Sequence, residues 1–186
     1  LGDALKKNTN LTILQIHTNN INDKGTIVLS EALVINNSLT KLDLSKNNIG
    51  DVGAIAIMDV LKKNTTLKEL YLFTNNIGNI GSNALLGALK QNNILKTLNL
   101  SVNKIGFNGI KEITEVLTHN NTLTELHLSK NNICSDGVIA IVDAFKQNIP
   151  LTKLYLNDIG YYRAITITIA ESLIKNTILT VLYIND

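Results

Sequence analysis

Three histidines, one cysteine and one arginine are the residues from which this chain would have to build catalysis or tight anion binding. Cys134 has no base beside it to draw off its proton, so a nucleophilic thiol is not expected. Arg163 is the one arginine among 17 basic residues, which leaves almost no means of clamping phosphate or carboxylate with a planar fork. Gly50-x-x-Gly53, Gly78-x-x-Gly81 and Gly106-x-x-Gly109 look at first like phosphate-cradling turns. None carries the dinucleotide fingerprint or the lysine-serine ending of a P-loop, and the pattern recurs unit after unit, so its role is structural. His17 and His127 are separated by four repeats of that pattern and cannot share a metal or a proton, while His119 falls near a helix end, where a cation is mildly favoured. No enzyme activity, metal or cofactor is expected.

The elements that hold these residues are legible from a period. Leucine recurs at Leu11, Leu39, Leu67, Leu95, Leu123, Leu151 and Leu179, always 28 residues apart. Each unit opens L-x-x-L-x-L-x-x-N-x-I, as in Leu39-Thr-Lys-Leu-Asp-Leu-Ser-Lys-Asn47-Asn-Ile49. Leucines at the fourth and sixth places point the same way, which is the signature of a short half-buried strand. The ninth place holds Asn19, Asn47, Asn75, Asn103 and Asn131. An inward amide supplies both donors and acceptors, so these side chains are expected to form a ladder along the turns that leave the sheet.

The second half of each unit reads as a helix. Gly53, Ile57, Val60 and Leu61 share one helical face. Asp51 is placed to cap that helix, with Asp23, Asn79 and Ser135 at equivalent places, whereas Phe107 offers no cap. Recurring glycines (Gly25, Gly53, Gly81, Gly109, Gly137) are expected where helix and sheet approach closely. The helices close on Asn8, Asn36, Asn64, Asn92, Asn120, Asn148 and Asn176, a residue that tolerates a left-handed ending. Strands pack about 4.7–4.9 Å apart and helices about 8–10 Å apart, so stacked units must curve with the strands inside the arc.

These motifs resemble the ribonuclease-inhibitor-like class of leucine-rich repeats, over essentially the whole chain. The resemblance implies an α/β leucine-rich-repeat solenoid, a horseshoe arc with parallel strands on its concave face and helices on its convex face. Residues 1–186 are expected to form one array of about six units. Because the chain opens inside a helix and stops after a strand, it is expected to be an excerpt of a longer protein. Related repeats occur in ribonuclease inhibitor, NOD-like receptors and Ran GTPase-activating proteins. For function, the resemblance implies a scaffold that binds a partner protein on the concave face. The alternatives are the sensing region of a NOD-like receptor and a Ran-type activator acting on a small GTPase.

Totals agree with a protein partner and set other classes aside. Net charge is +2 with 17% charged residues, and no Lys/Arg patch interleaves with aromatics, so nucleic acid is not expected. No apolar run approaches a bilayer span and no signal peptide opens the chain, so no membrane role is expected. A lone cysteine excludes a disulfide framework and fits the reducing cytoplasm.

Between the inward leucines, side chains should face the concave solvent in rows. The first row is Ile13, Lys41, Glu69, Thr97, Glu125, Lys153 and Val181, and the second is Gln15, Asp43, Tyr71, Asn99, His127, Tyr155 and Tyr183. His17, Ser45, Phe73, Ser101, Ser129 and Asn157 form a third. The expected contact surface is Asp43, Glu69, Tyr71, Phe73, Asn99, His127 and Tyr155. Tyr71 and Phe73 are its aromatic anchors, and Asp43 and Glu69 can steer a basic partner. The unit at Leu151 departs from the pattern. Aligning Asn157-Asp158-Ile159-Gly160 with Asn47-Asn48-Ile49-Gly50 loses two residues after the strand and regains two around Tyr161-Tyr162-Arg163.

Overall fold

Strands and helices alternate along the chain in the computed structural model, which describes residues 1–147, 149–158 and 165–185. In order they are α1 (Gly2–Lys7), β1 (Ile13–Gln15), α2 (Asn22–Ile35), β2 (Lys41–Asp43), α3 (Asp51–Lys63), β3 (Glu69–Tyr71) and α4 (Asn79–Leu89). There follow β4 (Thr97–Asn99), α5 (Phe107–Ile110), α6 (Ile113–His119), β5 (Glu125–His127), α7 (Ser135–Ala144), β6 (Lys153–Tyr155), α8 (Ile165–Lys175) and β7 (Val181–Tyr183). The seven strands pair in chain order, all parallel, each residue opposite the one 28 positions on. The architecture is an α/β solenoid in which the strands form one face and the helices the other. Its core is the leucine and isoleucine set of the repeat. Leu70, Leu72 and Ile77, with Ile57, Val60 and Leu61 of the helix behind them, are shut off from solvent. Each buried side chain of this size contributes roughly 1.5–3 kcal/mol.

Turns leaving the sheet are held by the asparagines of the ninth place. Asn47 Oδ1 accepts from the backbone N–H of Asn19 (2.9 Å) and Ile21 (3.2 Å), and its Nδ2 donates to the carbonyls of Ile16, Leu44 and Ser45. Asn75 repeats this toward Asn47 and Ile49, Asn103 toward Ile77, and Asn131 toward Ile105. Asn19 is exposed, and among the described residues its side chain donates only to the carbonyl of His17.

The helix ends differ from the sequence reading in three ways. First, Asp51 does not cap its own helix. Its Oδ1 accepts from Gly78 (2.7 Å) and Gly81 (2.9 Å), the opening amides of α4 in the next unit. Asp23 does the same for Gly50 and Gly53 of α3, and Asn79 for Gly106. Successive helices lie side by side with their N-termini level, so a short acid reaches its neighbour's unpaired amides more readily than its own. Phe107 supplies no acceptor, and Gly137 in the following unit turns instead to the carbonyl of Cys134 (2.9 Å). Second, Gly53, Gly81 and Gly109 make room for this neighbouring side chain, whereas Gly25 and Gly137 lie closest to Ile21 and Ile133 in the turns that leave the sheet. A Cβ on Gly81 would lie 2.7 Å from Asp51 Oδ1 and 2.8 Å from Ala54 Cβ.

Third, the closing asparagines are extended rather than left-handed: Asn36 has φ −65° and Asn64 φ −74°. They form a second ladder. Asn64 Nδ2 donates to the carbonyls of Leu33 and Asn36, and its Oδ1 accepts from Thr66 and Leu67. Asn148 lies outside the described residues.

The left-handed conformation is found instead at Asn20, Asn22 and Asn48 and, in unit after unit, at the eighth place, in Thr18, Lys46, Thr74, Val102, Lys130 and Asp158. There the N–H must bond across to the next strand's turn, as Val102 does to Ser129 (2.8 Å). Val102 holds φ 55°, which is unfavourable for a β-branched side chain. Val102→Asn keeps that bond and tolerates the conformation, so unfolding in denaturant is expected to show a gain of about 1 kcal/mol. A loss would mean that the half-buried valine's packing outweighs its strain.

Asp158 also corrects the reading of the unit at Leu151. It has φ 51°, and Lys130 donates to the carbonyl of Asn157 as Lys46 does to Phe73. Asn157 is therefore at the seventh place, in the row of Phe73 and Ser129, and the 28-residue register holds through Asp158 without a deletion. Ile159, Gly160 and Tyr161-Tyr162-Arg163 lie outside the described residues.

Candidate protein-binding face

Three-residue strands leave little room for variation. The middle residue of β2 to β6, such as Leu70 or Leu98, is buried, and the residues on either side point out over the inner face. Pairing lines these outward residues up across the strands. Lys41, Glu69, Thr97, Glu125 and Lys153 stand in one row and Asp43, Tyr71, Asn99, His127 and Tyr155 in the next. Phe73 lies two residues beyond Tyr71. All seven residues singled out from the sequence are half-buried here, but they fall into two clusters rather than one.

The first cluster is built on β2 and β3. Lys41 Nζ lies 2.9 Å from Glu69 Oε2, the same oxygen that accepts from the Tyr71 hydroxyl at 3.0 Å. Lys41 also stands over the Tyr71 ring, 4.8 Å from its centroid, and Lys46 stands over Phe73 at 5.9 Å. The Lys41 hydrogen bond holds the Glu69 carboxyl below its usual range, against the opposing effect of burial. Burial, and then the hydrogen bond to Glu69, pushes the Tyr71 hydroxyl up. Asp43 and Asn99 border the same groove, of about 320 Å³, together with His17 and Ser45.

The second cluster spans β5 to β7. Glu125 receives His127 Nε2 at 2.7 Å on one oxygen and Lys153 Nζ at 3.2 Å on the other. The His127 and Tyr155 rings stack at 4.0 Å and 4°, and Tyr155 stacks on Tyr183 at 5.0 Å. Adjacent strands are about 4.7–4.9 Å apart at the backbone. The shorter ring spacing of the first pair is what an inward-curving face produces as side chains converge. Between the clusters, β4 presents only the uncharged Thr97, Asn99 and, beyond it, Ser101.

Burial lowers the His127 pKa from its ordinary value of 6.5, and the Glu125 hydrogen bond only partly offsets this. For Glu125, burial raises the pKa, but the bonds from His127 and Lys153 together hold it below the usual range. Both shifts have the same consequence. The unfolded chain takes up protons more readily, so the stabilisation is complete above pH 6.5 and declines as pH falls toward the depressed folded value of His127. Thermal unfolding should show this decline in the wild type and a smaller one in His127→Phe. Equal slopes in the two proteins would assign the pH dependence to other groups.

Sequence reasoning passed over Lys46 as a member of the face, and it named Lys41, Glu125, Lys153 and Tyr183 only as row positions. A signal existed for most of them. Lys41/Glu69 and Glu125/Lys153 are opposite charges 28 residues apart, and Tyr155/Tyr183 are aromatics at the same interval. Such pairs must meet across the sheet. Among the described residues no group of histidine, cysteine and carboxylates is placed to hold a metal ion, and no helix is long and apolar enough to cross a membrane.

A register-locked parallel sheet, helices behind it and asparagine ladders between units define a protein of the repeat-solenoid class. The leucine-rich-repeat family profile matches residues 7–30, 36–58, 63–86, 91–113 and 119–142, over half the chain, and the protein belongs to the leucine-rich-repeat family. No curated protein sequence matches it. Among solved structures it is similar to the leiomodin-1 fragment called actin-binding site 2, with 24% identity and a TM-score of 0.58 over 94% of this chain and 86% of that one. The tropomodulin C-terminal domain of Caenorhabditis elegans is 13% identical, with a TM-score of 0.57 over 94% of this chain and 90% of that one. At these identities the likeness is one of fold.

Proposed function

We propose that this chain binds a partner protein on its strand face, with the Tyr71–Phe73 cluster as the principal contact. Leucine-rich repeats generally mediate protein–protein interaction. The observation that carries the reading here is the juxtaposition of two half-buried aromatic rings, a carboxylate and an open groove on β2 and β3. Aromatic side chains of this kind give large contact area at small entropic cost and dominate interface energies. The His127–Tyr155–Tyr183 stack extends the same surface.

The test is capture from native cell extract on wild-type bait and on Tyr71→Ala/Phe73→Ala bait. A partner retained by the wild type and weakened about 30-fold or more by the double variant is the expected result, since truncating two anchors costs about 2 kcal/mol or more. A partner held equally by both baits would remove the face from consideration. Actin, named for the leiomodin fragment, belongs in the same experiment as a defined ligand scored by co-sedimentation. Neither a NOD-like-receptor sensing role nor a Ran-type action on a small GTPase is favoured by any cluster on the face. Reading the full-length gene for a nucleotide-binding domain checks the first, and a GTP-hydrolysis assay checks the second.

A further inference from the structure

The groove over β2 carries a more specific reading, which rests on the strand face being the binding surface. It is bordered by His17, Asp43, Ser45, Tyr71, Phe73 and Asn99, with Lys46 at its rim. Its ring faces already attract cations, since Lys41 stands over Tyr71 and Lys46 over Phe73. An aromatic face carries negative potential and holds an ammonium or guanidinium in this way.

Asp43 is the second observation. Glu69 in the neighbouring row is answered by Lys41, and Glu125 by His127 and Lys153. Among the described residues no ion pair engages Asp43, whose Oδ1 accepts only the Ser45 N–H at 2.9 Å. A half-buried carboxylate with one oxygen unused, standing beside two aromatic rings, presents an unanswered negative charge.

Lys46 is the third. It is exposed, and among the described residues no carboxylate holds it, so its ammonium can leave Phe73 when a better-placed cation arrives. Lys41 is different, because Glu69 fixes it.

We infer that this groove receives the guanidinium of an arginine presented by the protein partner. A guanidinium is planar, so it lies flat on a ring while its fork donates to a carboxylate at the edge. An ammonium is a point charge and makes these contacts one at a time.

The experiment titrates the full chain, labelled with 15N, with three small probes: ethylguanidinium, n-butylammonium and ethylurea. Ethylurea matches the guanidinium in shape and lacks its charge. Ethylguanidinium is expected to shift the amides of Ser45, Tyr71 and Phe73 saturably and to bind about tenfold tighter than either other probe. Asp43→Asn should abolish its advantage over ethylurea. Lys46→Ala should strengthen its binding about twofold to threefold, because a competing cation is gone. Equal binding of ethylurea, binding of butylammonium as tight as that of the guanidinium, or weaker binding in Lys46→Ala would each overturn the assignment. A partner captured through Tyr71 and Phe73 by a protein indifferent to ethylguanidinium would sink the arginine alone. A face that captures nothing through those rings would sink the broader reading.

Discussion

Asn75→Ala is expected to lower the stability of the chain by about 3–5 kcal/mol, whereas Asn19→Ala should cost less than about 1 kcal/mol. Asn75 Oδ1 accepts from the backbone N–H of Asn47 and Ile49, and its Nδ2 donates to the carbonyls of Leu44 and Leu72. Alanine strands the Asn47 and Ile49 amides where water has little access, at about 1–3 kcal/mol each, while the carbonyls of Leu44 and Leu72 keep the side-chain amides of Asn47 and Asn103. Two stranded amides and two weakened carbonyls together account for the expected loss. Asn19 has the same residue type at the same place in its unit, but it is exposed and makes one side-chain bond. Chemical denaturation of the two variants separates the effect of burial from that of residue type. Comparable losses would mean that the ladder matters through local turn conformation rather than by bridging units.

Asp51→Ala is the second large effect, at about 2 kcal/mol, and its location is the informative part. The carboxylate accepts from Gly78 and Gly81, so its loss frays the start of α4, one unit further along, and spares α3, where the residue itself resides. Hydrogen exchange should therefore quicken at the Gly78 and Gly81 amides. Asp51→Asn should retain most of the stability, because Asn79 makes the equivalent bond to Gly106. Protection lost in the first turn of α3 instead would refute the cross-unit cap. The same bond is missing two units beyond Asp51, where Phe107 stands in the acid's place. Phe107→Asp is expected to raise stability by about 1 kcal/mol by offering the Gly137 amide a carboxylate in place of the Cys134 carbonyl.

Much of this protein was determined by its sequence alone. Leucines at 28-residue intervals, paired with a helical face such as Gly53, Ile57, Val60 and Leu61, left one architecture able to bury both. The parallel register, the burial of that face and the membership of each outward row resulted, because a period of two along a strand and a constant repeat length admit no other alignment. The tertiary structure decided which unit each polar side chain serves. Asp51 and Asn64 look local in sequence, yet stacking places amides and carbonyls from 27 to 31 residues away closer than many nearer ones. It also decided how the inner face divides. The period says that Glu69, Tyr71 and Lys41 share a surface, but not that one oxygen of Glu69 holds the other two, nor that Asp43 is left unanswered beside them. Repetition constrains what must be buried in every unit. The outward residues are released from that constraint, so their arrangement emerges only from the curvature of the sheet and the reach of each side chain.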